Sequence, residues 1–84
     1  MAATDYIARG MNPYQATQLY AQVSGTSTDL TGRLLSCGFA PALAAELTTQ
    51  MVAGVGNEGN LRALGMPNPL CVLVAADIEA TASE

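Results

Sequence analysis

The sequence contains no histidine, no lysine and no tryptophan, and its 84 residues include three cations, two cysteines and one phenylalanine. Without histidine the commonest general base and metal ligand is missing, and neither a Ser-His nor a Cys-His pair can form. Three arginines against seven acids leave a net charge of −4, which provides no basic stripe to displace counterions from a phosphate backbone and argues against nucleic-acid binding. The uncharged stretch from Ala63 to Ala76 is broken by Gly65, Pro67, Asn68 and Pro69. It falls well short of the roughly 20 apolar residues that span a bilayer, so no membrane segment is expected. The opening Met1-Ala2-Ala3-Thr4-Asp5-Tyr6 has neither a basic start nor an apolar run, so no secretory signal is expected and the chain should stay inside a cell, or inside something assembled in one. Cys37 and Cys71 are too few for a disulfide framework and lack CxxC spacing. They read as small buried apolar residues rather than as a bridge or a reactive thiol.

What is abundant is small and apolar. Half of the residues are apolar, but alanine dominates them, and the bulky aliphatics sit near the floor for globular chains. About 62% of the surface of a chain this size can be buried on folding, so one thin-cored domain spanning 1–84 is expected. The excess of Ala and Gly over β-branched and aromatic residues favours closely packed helices over a sheet.

An internal repeat organises the chain. Gly10-Met11-Asn12-Pro13 and Gly38-Phe39-Ala40-Pro41 share one pattern, and Gly65-Met66-Pro67-Asn68-Pro69 is a variant of it, the glycines being 28 and 27 residues apart. Aligned on the glycine, the fourth residue before it is Tyr6, Leu34 or Leu61. The sixth after it is Ala16, Ala44 or Cys71, the ninth is Leu19, Leu47 or Val74, and the thirteenth is Val23, Met51 or Ile78. The twelfth is polar each time: Gln22, Gln50 or Asp77. A glycine that ends one helix and a proline that opens the next make a tight corner. Residues spaced by three and four then line one helix face. The expected architecture is all-α: a compact domain of six short helices at about 3–9, 13–23, 28–37, 41–53, 58–64 and 69–80. It is built from three helix–Gly-corner–helix units at about 1–25, 26–54 and 55–84. The structural corners are Gly10, Met11 and Pro13; Gly38, Phe39 and Pro41; and Gly65, Met66 and Pro67. The bulky Met11, Phe39 or Met66 should cover the junction between two helices.

Catalytic, cofactor-binding and metal sites are all expected to be absent. The Gly54-Val55-Gly56-Asn57-Glu58-Gly59 stretch resembles a phosphate loop only superficially, since no lysine follows and no strand precedes it, and it reads as a flexible connector. Thr28 with Asp29, and Asn57 with Glu58, place caps and acids at helix starts. Asp77, Glu79 and Glu84 lack the spacing of a calcium loop and read as a solvated tail. Arg9, Arg33 and Arg62 fall at different offsets in their units and read as surface partners of nearby carbonyls and acids. The segment from Leu70 to Ala76 is apolar all round its helix. Leu70, Val72 and Leu73 are therefore the candidate interface to another subunit, with a central helix wrapped by the other five as the alternative.

The segments Ile7-Ala8-Arg9-Gly10-Met11-Asn12-Pro13, Leu34 through Ala44, and Leu61-Arg62-Ala63-Leu64-Gly65-Met66-Pro67 resemble phrases in small helical virion proteins of tailed bacteriophages that decorate or cement the capsid or anchor a head fibre. That resemblance implies a non-enzymatic structural protein that binds the major capsid protein, and in some cases a fibre, and resides in the virion after synthesis in the host cytoplasm; the apolar surface from Leu70 to Ala76 adds the expectation of a homo-oligomer or attachment to a larger scaffold. The Cys37-Gly38-Phe39 corner is also similar to the Met-Gly-Phe phrase of ubiquitin-associated-type three-helix modules. That second resemblance implies a small protein-binding module acting through this corner, but it covers about half of the chain, has Cys37 in place of the usual methionine, and leaves the first repeat unexplained.

Overall fold

A computed structural model describes residues 3–25 and 30–82. Among them are six helices and no strand: α1 (Ala3–Ala8), α2 (Pro13–Val23), α3 (Leu30–Ser36), α4 (Pro41–Ala53), α5 (Glu58–Ala63) and α6 (Asn68–Ala82). Short and long helices alternate. Each short helix packs on the long helix of its own unit, α3 and α5 also touch the long helix before them, and α6 touches both α2 and α4. Thr28 and Asp29 lie outside the described residues, as do Thr26, Ser27 and Glu84.

The three corners share one geometry. Gly10, Gly38 and Gly65 have φ of 101°, 97° and 100°, a region open to glycine and costly for residues with a Cβ. Behind each glycine the chain folds back through the same two bonds. The N–H of Met11, Phe39 and Met66 donates to the carbonyl of Tyr6, Leu34 and Leu61, each at 3.1 Å. The N–H of Gly10, Gly38 and Gly65 donates to the carbonyl of Ile7, Leu35 and Arg62 at 3.0, 3.1 and 3.1 Å. This is the Schellman arrangement, which brings the residue after the glycine against the one four before it. All six of those residues are buried. The bulky apolar residues on either side of each glycine are therefore one contact repeated three times.

The long helices begin at the same offset in every unit, at Pro13, Pro41 and Asn68. Asn12 caps α2, its Oδ1 accepting from Tyr14 N–H at 2.8 Å. Ala40 has no side-chain cap to offer, and α4 starts on Pro41 alone. One core cluster joins the units, with Ala16, Ala44 and Cys71 and then Leu19, Leu47 and Val74 fully buried along the inner faces of α2, α4 and α6.

Two sequence expectations are corrected. The Gly54–Asn57 connector is held in place rather than loose. Gln50 Oε1 accepts the Asn57 N–H at 2.9 Å and its Nε2 donates to the Asn57 carbonyl at 3.1 Å. Gly56 passes so close to α6 that a Cβ would overlap the Ala75 carbonyl. Asp77 is no part of a solvated tail, because it is 5% exposed and accepts a hydrogen bond from Tyr6 Oη at 2.8 Å. The phenol occupies the place that leucine takes in the other units, so the polar residue at the twelfth offset of the last unit ties α6 to α1 at the start of the chain.

Candidate functional site

The corners meet. Gly10 and Met11, Gly38 and Phe39, and Gly65 and Met66 line one depression of about 260 Å³, floored by Gln15, Leu43 and Leu70, the fifth residue after each glycine. Every residue around it is uncharged. Met11, Phe39 and Met66 are each under 9% exposed, so the accessible rim consists of glycine backbone, Asn12, Ala40 and Pro67. Pro13 and Pro41 start their helices and are exposed. Gln15 stitches two units together there, its Nε2 donating to the Cys37 carbonyl at 3.1 Å. A Cβ on Gly38 would sit 3.2 Å from that same nitrogen.

At the other end of the long helices, the thirteenth-offset residues Val23, Met51 and Ile78 converge on a second cavity of about 210 Å³, with Gln22, Gly25, Thr81 and Ala82 completing it. The three polar twelfth-offset residues differ in fate. Asp77 is bonded to Tyr6 and Gln50 to Asn57, whereas neither polar atom of the Gln22 side chain has a partner among the described residues.

The proposed interface on α6 divides. Leu70 and Leu73 are 3% and 7% exposed and belong to the chain's own core, and Val72 alone of the three faces outward, at 48%. The apolar surface of this helix is thus consumed mainly within the chain itself, since α6 packs on α2, α4 and α5. Val72 and Ala76 border a shallow cleft beside Gly56, edged by Glu58 and Glu79.

Burial, then the hydrogen bond to Asp77, pushes the Tyr6 phenol well above its ordinary value, and its ring meets Tyr20 edge to face at 6.0 Å. Cys37 and Cys71 are free and buried. Their thiols donate to the Leu34 and Met66 carbonyls at 3.3 and 3.1 Å, and burial raises both above the ordinary thiol range. A thiol held protonated is a poor nucleophile. Arg9 donates to the Asp5 carbonyl at 3.0 Å, while Arg62 pairs with Glu58 at 3.5 Å and donates to Asn68 Oδ1 at 2.7 Å. Arg33 lies exposed in the last turn of α3. Asn57 caps α5 through Asn60 N–H at 2.9 Å. No helix among the described residues is long and apolar enough to cross a membrane. No protein-family model, curated protein or solved structure matches this chain.

Proposed function

We propose that this chain is a non-enzymatic structural protein of a bacteriophage virion, a capsid decoration or cement protein or the anchor of a head fibre, binding the major capsid protein in many copies. One observation carries the reading: the repeat brings its three corners to one end of the molecule and surrounds them with uncharged residues, forming a rigid platform of near-equivalent contacts. A particle surface offers the same contact many times, so a small interface gains from the array even when each copy binds weakly. Exposed Val72 supplies an apolar anchor that the fold itself does not use, and contact between neighbouring copies is proposed there. The alternative, a ubiquitin-associated-like module, places its contact on the Gly38-Phe39 corner, where Phe39 is 8% exposed and has little surface to offer.

The test is composition and stability of purified particles. Mass spectrometry should find the chain in fixed ratio to the major capsid protein. Particles lacking it should assemble yet lose heat or osmotic resistance, or lose a head appendage. Deletion that leaves particles unchanged while abolishing an activity in the infected cell would refute the proposal.

A further inference from the structure

The outer side of α6 is a narrow strip with an ordered chemistry. From Leu70 to Ile78 the exposed residues are Val72 and Ala76, one turn apart, and the rest are buried. Gly56, which has no side chain, comes up against the Ala75 backbone beside them and leaves the cleft of about 380 Å³ open. A cation and an anion stand at opposite ends of the strip. Arg62 is tied to the start of α6 by its bond to Asn68 Oδ1 at 2.7 Å, and its side chain is 46% exposed. Exposed Glu79 follows Asn68 by three turns on the same side of the helix, about 16 Å along the axis at a rise of 1.5 Å per residue. The midpoint between these ends falls between Val72 and Ala76. Glu58, the other acid at the cleft edge, is already paired with Arg62.

A strip that runs from cation through apolar centre to anion is complementary to its own reverse. Two such strips laid antiparallel bring cation to anion at both ends, whereas a parallel pair sets like charge on like. We infer that this strip is where two copies of the chain pair. Helix α6 packs antiparallel on α6 about a two-fold axis between Val72 and Ala76, each Val72 lies on Ala76 beside Gly56 of the other copy, and Arg62 of each copy reaches Glu79 of the other. Exposed ion pairs contribute little each, so they select the antiparallel register while the Val72 contact supplies the apolar part. The inference rests on the contact between copies proposed at Val72 and not on the virion reading, so it is tested on the isolated chain.

Sedimentation of the full-length chain at low ionic strength should show a monomer–dimer equilibrium that weakens as salt is added. Glu79→Arg and Arg62→Glu should each lower the association constant about tenfold, because both ends of the dimer turn from attraction to repulsion. An equimolar mixture of the two variants should recover it, since cation again faces anion at both ends of the mixed dimer. Thermal melts confirm that each variant is folded; if Arg62→Glu is not, Glu58→Arg with Arg62→Glu keeps the pair within α5 and replaces it. A monomer at all concentrations, assembly beyond the dimer, an unaltered Glu79→Arg, or a mixture no stronger than its components would each overturn the inference. Dimers that Val72→Arg breaks but mixing does not restore would retain the contact at Val72 and refute this pairing alone.

Discussion

Tyr6 and Asp77 show how one buried polar pair links stability to pH. The folded phenol keeps its proton above the ordinary value of 10.0, so beyond that pH the unfolded chain binds fewer protons than the folded one and stability falls as pH rises. The slope from this group is about 1.4 kcal/mol per pH unit. The two cysteines, whose ordinary value is 9.0, shift in the same direction and begin to contribute from lower pH. Thermal melts between pH 8 and 12 should show this alkaline loss, and Tyr6→Phe should flatten its upper part. At neutral pH the same substitution should cost about 1–3 kcal/mol, because Asp77 is left buried without its donor. Gln50→Met should destabilise by about 1–3 kcal/mol, read by denaturant unfolding, by stranding the Asn57 N–H and C=O that its amide holds.

At the scale of the element, the corners and the connector depend on glycine for different reasons. Gly38 needs its positive φ, so Gly38→Val should cost about 1–2 kcal/mol or more. A melting temperature unchanged within error would refute the corner geometry. At Gly56 the constraint is the Ala75 backbone behind it. Gly56→Ala should therefore push the connector off α6 and cost about 1–3 kcal/mol, read by denaturant unfolding. Helix α6 separates core from surface residue by residue. Leu73→Ala should cost about 2–5 kcal/mol, while Val72→Arg should stay within about 0.5 kcal/mol of the parent. The same unfolding series measures both.

At the scale of the whole molecule, three similar units close on one another, with the Tyr6–Asp77 bond joining the last long helix to the first short one. If Val72 is the contact between copies, Val72→Arg should weaken self-association in sedimentation experiments without altering the melt, and an unchanged distribution would remove that surface from consideration. Much of this architecture is legible in the residue order, because corners are local. A glycine with bulky neighbours one residue after and four before it, and a helix starting three residues on, specify a chain reversal through contacts within a dozen residues. That is why the helices and corners fall close to where spacing alone puts them. The burial of Asp77, the fixing of the Gly54–Asn57 connector and the split between Leu70 or Leu73 and Val72 were decided only by tertiary structure. Asp77 finds its donor in Tyr6, 71 residues away, and hydrophobic spacing does not reveal a single long-range hydrogen bond. Gly56 is held by a backbone that approaches from another helix, and a segment apolar all round, as from Leu70 to Ala76, carries no internal mark of which side its neighbours will cover. For the same reason residue spacing marks Gln50 only as a polar residue on an inner helix face, and the packing around Asn57 alone determined that its amide fastens the connector.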